Sequence, residues 1–168
     1  MVVSRPDQKT CKSTPFIMQF EIIRYTPEKQ KTWDEFIGHS WNGVFLFYRG
    51  FMDYHQDRFN DYSLMVYKNN KLAAVLPCNE HDGVLISHQG LTYGGWVLAP
   101  RFAAADMEVL FDEVETYLKA NGIRQIDYKH KPPVFEKHSN DYDSWVLWKK
   151  GYSLWRRDLS FFIDLKNF

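Results

Sequence analysis

The chain has 168 residues, 45% of them hydrophobic and 25% charged, and twenty-one basic residues balance twenty-one acidic ones. That length and apolar content suit one ordinary soluble domain with a real core. Neutrality argues against DNA, RNA or anionic membrane as the main partner, and no apolar run approaches the roughly 18–20 residues that span a bilayer.

Residues 1–17 are polar and mixed and lack an apolar core of signal-peptide length, so they read as a disordered leader or an artificial extension, with the domain over 18–168. The two cysteines, Cys11 and Cys78, have no metal-ligand spacing around them and read as free thiols in the cytoplasm. Phe20–Arg24 predicts a strand. Thr26-Pro27-Glu28 then opens a helix, with Thr26 as N-cap and Pro27 at the first helical position, and Trp33, Phe36 and Ile37 as its apolar stripe. A shorter helix follows near Phe51–Asp57. Ser63–Tyr67 and Leu72–Asn79 are strands joined by a tight Asn69-Asn70 turn, and Asp82-Gly83 turns the chain into Val84–Ser87.

Met107, Leu110, Phe111, Val114 and Leu118 recur at spacings of three and four, which predicts an amphipathic helix stopped by Asn121-Gly122. Ile123–Tyr128 is a strand reached through that crossover and hence parallel to a neighbour. A last helix near Tyr142–Lys150 stops at Gly151, and Leu154–Leu165 reads as extended. The aromatic share of 17% fits either a rich core or the walls of a sugar or peptide groove.

The stretch Ser87–Gly95, Ser-His-Gln-Gly-Leu-Thr-Tyr-Gly-Gly, carries the most information. Three glycines allow close approach of a backbone or a ligand, and polar side chains between them offer donors and acceptors. Substrate-binding candidates are Ser87, His88, Gln89, Gly90, Thr92, Tyr93, Gly94 and Gly95, joined by Tyr128, Lys129 and His130 at the end of the Ile123–Tyr128 strand. His88 is either a general base or a strand-end structural histidine. Tyr93 is either a donor to a leaving group or a space-filling aromatic. Asp127 is the third catalytic candidate. Asp127, Lys129, His130 and Lys131 form either a phosphate or carboxylate grip or a solvated loop, and Arg156-Arg157-Asp158 reads as an ion-pair network. No His, Cys or carboxylate spacing makes a metal set.

The order β-α-α-β-β-β-α-β-α-β resembles the GNAT acyltransferase layout, an α/β fold whose twisted mixed sheet carries helices on both faces. Further motifs sharpen that likeness: Asn42-Gly43-Val44-Phe45-Leu46, Arg58-Phe59-Asn60-Asp61-Tyr62-Ser63-Leu64, Leu76-Pro77, Ser87–Gly95, Tyr128-Lys129 before Pro132-Pro133, and Gly151-Tyr152 with Arg156-Arg157-Asp158-Leu159-Ser160. Together they resemble the N-terminal half of Fem-type, tandem-GNAT proteins of bacterial cell-envelope and surface-polysaccharide systems. The resemblance implies a splayed gap between Val84–Ser87 and Ile123–Tyr128, and a second GNAT-like half in cis. It also implies transfer of an acyl or aminoacyl group onto an amine of a small-molecule or lipid-linked envelope precursor. Acetyl-CoA is a possible donor, but the chain departs from the Arg/Gln-x-x-Gly-x-Gly/Ala turn that holds its pyrophosphate. Gln89 precedes Gly94-Gly95 at another spacing, and Asp106 and Glu108 fall near the start of the next helix. A self-sufficient acetyl-CoA-dependent N-acetyltransferase and a noncatalytic sugar- or peptide-binding module are the alternatives.

Overall fold

The computed structural model describes residues 2–4, 19–136, 141–159, 161, 163 and 165. In chain order these form β1 (Val2–Ser4), β2 (Glu21–Arg24), α1 (Gln30–His39), α2 (Arg49–Met52), β3 (Asn60–Asp61), β4 (Leu64–Lys68) and β5 (Lys71–Leu76). Then come β6 (Asn79–His81), β7 (Val84–Ile86), β8 (Val97–Leu98), α3 (Ala104–Ala120), β9 (Gln125–Lys129), α4 (Tyr142–Lys149) and β10 (Ser153–Arg156).

Both expected hairpin turns are present. Asn69 and Asn70 sit at φ 51 and 60, and Asp82 and Gly83 at φ 50 and 76, the left-handed pairs that a two-residue turn between right-twisted strands requires. The strand expected over Leu72–Asn79 is broken in two. Pro77 has no N–H to give to a ladder, so β5 ends before it and β6 starts after it. Across the break the Tyr62 N–H still reaches Cys78 O at 3.0 Å, while the Cys78 N–H turns to Ser63 Oγ at 3.3 Å. The bent ribbon divides the strands into a four-stranded set, β2-β4-β5-β8, and a six-stranded set, β10-β1-β9-β7-β6-β3.

Alternation along β4 and β5 builds two cores. Leu64, Val66, Ala74 and Leu76 face α3 and α4, and Met65 and Val75 face α1 with Trp33, Ile37 and Phe47. Helices therefore cover both faces. All five predicted stripe residues of α3 are buried, each worth roughly 1.5–3 kcal/mol of transfer free energy. The helix stops where expected: Gly122 takes φ 84, and the Ile123 N–H folds back to Leu118 O at 3.0 Å. At α1 the expected start shifts. Pro27–Lys29 is a tight turn after extended Thr26, whose side chain caps nothing, and the α-helix proper begins at Gln30. The helix expected over Phe51–Asp57 is α2, starting earlier and closing in a tight turn over Asp53–His55.

Two further expectations need correction. Within the segment expected to be a leader, Val2–Ser4 forms a strand between β9 and β10, antiparallel to both. Residues 1 and 5–17, with Cys11, lie outside the described residues. Among the described residues of the stretch Leu154–Leu165, strand is confined to the start, in β10. β9 does run parallel to β7, as the crossover demands. Cys78 is a buried free thiol, and among the described residues no helix is long and apolar enough to cross a membrane.

Candidate functional site

β7 and β8 lie along the same bent ribbon, β7 against β6 and β8 against β5. The segment between them, Ser87–Trp96, is thus an excursion from what would otherwise be one long strand, leaving the ladder opposite the Pro77 break. The gap expected between β7 and β9 is not an open cleft. The two pair from Val84↔Gln125 to Ile86↔Asp127, and the Ser87 N–H continues the ladder to Asp127 O at 2.9 Å. Beyond that, Ser87 Oγ accepts the Lys129 N–H at 2.6 Å, and the returning limb closes the space as the Gly94 N–H bonds Lys129 O at 3.2 Å.

The glycines therefore serve the chain's own close approach. A Cβ on Gly94 would lie 2.1 Å from Ser87 O, and one on Gly95 2.7 Å from the Tyr128 hydroxyl. One on Gly90 would meet the Phe59 ring at 2.5 Å. Lys129 ties the loop from beneath: its Nζ donates to the carbonyls of His88 at 3.1 Å, Gln89 at 3.3 Å and Leu91 at 3.0 Å. Burial, reinforced by nearby Arg156, lowers its pKa.

The expected site residues divide between two places. His88, buried at φ 59, lines a cavity of about 20 Å³ with Asp53, Gln56, Asp61 and Asn79. That is room for about one water. The Gln89 N–H is tied to Asn79 Oδ1 at 2.9 Å, and Asp127 accepts from the Gln125 side chain at 2.7 Å. None of the three lines the larger opening. Thr92, Tyr93 and His130 do: with Pro132, Pro133, Arg157 and Asp158 they line a groove of about 260 Å³. Tyr93 stacks on Phe135 at 5.3 Å and meets the edge of Phe47 at 6.3 Å. Burial raises its pKa, so the phenol stays a hydrogen-bond donor.

Behind the groove wall runs a hydrogen-bonded chain. His130 Nε2 meets Asp143 Oδ1 at 3.0 Å, Tyr128 donates its hydroxyl hydrogen to Asp143 Oδ2 at 2.6 Å, and that hydroxyl accepts the Trp96 N–H at 2.8 Å. Burial works against charge on both His130 and Asp143. The mutual hydrogen bond and attraction outweigh it, raising the His130 pKa and lowering that of Asp143. Burial and the Asp143 charge push Tyr128 far up. A histidine at a groove with one nitrogen fixed by a carboxylate has the geometry of an oriented proton acceptor.

Sequence reasoning grouped His130 with Lys129 but missed Asp143, thirteen residues away, because only the packing of α4 on the sheet brings it under β9. It also missed Asn42. That buried amide accepts the Leu98 N–H and donates to Trp96 O, each at 2.8 Å, extending the β8 edge as a strand would. Lys131, its pKa lowered by burial, bonds Asn42 O and pairs with Glu136 at 3.4 Å. Arg156 pairs with Asp158 at 2.9 Å, as the expected ion-pair network requires, whereas Arg157 faces the groove. Among the described residues no group of three metal-ligating side chains occurs.

Acetyl-CoA does not fit the residues where a GNAT enzyme would hold it. The passage between β7 and β9 is filled by Gly94 and Gly95. Beside the start of α3 a groove of about 470 Å³ carries Glu108 and Asp141, and no basic side chain among its described lining. Asp106 occupies the first turn of α3 and already engages Lys68 at 2.7 Å. A pyrophosphate needs donors and cations there, not carboxylates.

No family model and no curated protein matches the chain. Among solved structures it is similar to a GCN5-related N-acetyltransferase from Sphaerobacter thermophilus, with 10% identity over 90% of this chain and 47% of that one and a TM-score of 0.55. A GCN5-related N-acetyltransferase from Kribbella flavida matches at 10% identity over 90% of this chain and 52% of that one, with a TM-score of 0.47. The C-terminal domain of a protein described as a lysylphosphatidylglycerol synthetase from Agrobacterium fabrum matches at 11% identity, 67% and 36% coverage, and a TM-score of 0.43. The chain spans about half the length of the two GCN5-related proteins and about a third of the third. The Sphaerobacter match shows the fold, a GNAT N-acetyltransferase fold with a mixed sheet between helices.

Proposed function

We propose that the domain is a cytoplasmic, Fem-like GNAT-fold acyl- or aminoacyl-transferase unit that seats an amine-bearing bacterial cell-envelope or polysaccharide precursor in the Tyr93–His130 groove. The observation that carries this reading is the Tyr128–Asp143–His130 chain ending at the groove wall. Neutral His130 takes a proton from the acceptor ammonium or from the attacking amine. The amine nitrogen then bonds the acyl carbon, and the carbon–oxygen or carbon–sulfur bond to the donor breaks. In this reading Tyr93, whose phenol keeps its hydrogen, protonates the departing group. General acid–base assistance of this kind contributes about 10²–10⁴-fold. A second GNAT-like half in cis would supply the donor site, in keeping with the poor fit of CoA here.

The test presents a muropeptide with a free amine to the full-length protein, with acetyl-CoA and with aminoacyl-tRNA in separate reactions. Transfer that falls at least 100-fold in His130→Gln, with the fold intact by circular dichroism, supports the reading. Equal turnover in the variant sinks it. The apolar wall of Tyr93, Pro132 and Pro133 favours a second reading, a noncatalytic sugar- or peptide-binding module. That reading predicts affinity without turnover from either donor.

A further inference from the structure

We infer that the Tyr93–His130 groove takes a ligand bearing a carboxylate or phosphate group, gripped by Arg157 and tuned by Asp158. The inference deepens the proposed function by naming the chemistry of the substrate in that same groove, yet it stands on charge and geometry rather than on catalysis.

The charges around the groove are largely committed. His130 faces Asp143 at 3.0 Å, Lys131 faces Glu136 at 3.4 Å, and Arg156 Nε holds Asp158 Oδ1 at 2.9 Å. Arg157 differs: it lines the groove, and no acidic side chain among the described residues pairs with it. Lys129 lies close enough to Arg156 and Asp158 to feel their charges. Among the described residues its ammonium bonds only carbonyls, which satisfy its hydrogens without cancelling its charge. The chain as a whole is neutral, so this positive excess is local to the groove. Tyr93, Pro132 and Pro133 give the same groove apolar lining, which strengthens the field of a charge beside it. A planar fork of donors in such a setting matches the two oxygens of a carboxylate or phosphate.

Asp158, the next residue in the chain, also lines the groove and competes with a bound anion for Arg157. Its Oδ1 is engaged by Arg156 Nε at 2.9 Å. Neutralising Asp158 therefore raises anion affinity, whereas removing Arg156 frees Asp158 to quench Arg157.

The test uses the ¹⁵N-labelled full chain, titrated with sodium phosphate and separately with sodium acetate, while sodium chloride holds ionic strength constant. The amides of Thr92, Tyr93 and Arg157 report binding. Saturable shifts are expected with at least one anion, and the tighter of the two identifies the group. Arg157→Gln weakens binding tenfold or more, Arg157→Lys by an intermediate factor, and Asp158→Asn strengthens it several-fold. Lys149→Gln, a cation on α4 paired with Glu108, leaves it unchanged. Titration of Arg157→Gln like the parent overturns the inference, as do an equal loss in Lys149→Gln and an absence of shifts with both anions. Anion binding without acyl transfer would refute the proposed function alone. Transfer without anion binding would refute this inference alone.

Discussion

Tyr128 donates its hydroxyl hydrogen to Asp143 at 2.6 Å from the side of the carboxylate opposite His130. The tyrosine comes from β9 and the aspartate from the first turn of α4, so one buried proton joins the sheet, the helix and, through the Trp96 N–H, the returning limb of the glycine loop.

Tyr128→Phe keeps the ring and deletes that proton. The Trp96 N–H and one Asp143 oxygen lose their partner in a dry setting, which costs about 1–3 kcal/mol. Urea denaturation should show a lower midpoint with an unchanged slope. An unshifted midpoint would mean that water replaces the hydroxyl without loss.

The His130–Asp143 pair makes stability depend on pH in a definite sense. Because the folded His130 pKa is raised, its stabilisation is complete below the unfolded histidine value of about 6.5 and is lost as pH rises through the folded value. Denaturation between about pH 5 and 9 should therefore show the parent losing stability on the alkaline side of 6.5 relative to His130→Gln. A flat difference across that range would show that the pair carries no net linkage.

Gly94 and Gly122 separate two reasons for a glycine. An alanine at 94 puts its Cβ 2.1 Å from Ser87 O, a backbone atom that cannot swing aside. Overpacking of this kind costs about 3 kcal/mol. At 122 nothing lies within 4 Å, and only the φ of 84° is at issue, for about 1 kcal/mol. Thermal denaturation of Gly94→Ala and Gly122→Ala should rank them in that order, and Gly94→Ala should also broaden the amide signals of residues 88–93.

Arg49 is fully buried, 3.4 Å above the Tyr25 ring and 4.9 Å from Trp33, and bonded to Asp61. Asp61→Asn leaves Asp53, at 3.6 Å, as the one carboxylate paired with that buried guanidinium among the described residues, costing about 3 kcal/mol. Arg49→Met costs less, since both carboxylates it releases are more than a third exposed and can take up water. Chemical denaturation should show Asp61→Asn as the less stable variant; the reverse order would show that the cation–π contacts dominate.

Local signals carried most of the architecture. The Asn69-Asn70 and Asp82-Gly83 turns, the α3 stripe and its Asn121-Gly122 stop are written within short windows, where neighbours in sequence decide the backbone. The Pro77 break was visible as a residue but not as a division of the sheet, because its effect depends on Ser63 and Cys78 across the ribbon. Of the two close approaches the loop glycines allow, backbone or ligand, the structure shows the chain's own backbone at Gly94, and a groove opens beside Thr92 and Tyr93. His88 read like Tyr93 in sequence, yet the excursion turns the two into different cavities. Asp143 carried no local mark at all. Its role exists only after α4 packs beneath β9.

The most direct measurement is the pH dependence of acyl transfer to a muropeptide amine by the full-length protein, compared between the parent and Asp143→Asn. Asp143 raises the His130 pKa and burial lowers it, so the parent rate should rise through a limb above the ordinary histidine value of about 6.5. In the variant, the limb should move to lower pH and the plateau should fall. A limb at the same pH in both proteins would contradict proton transfer by His130.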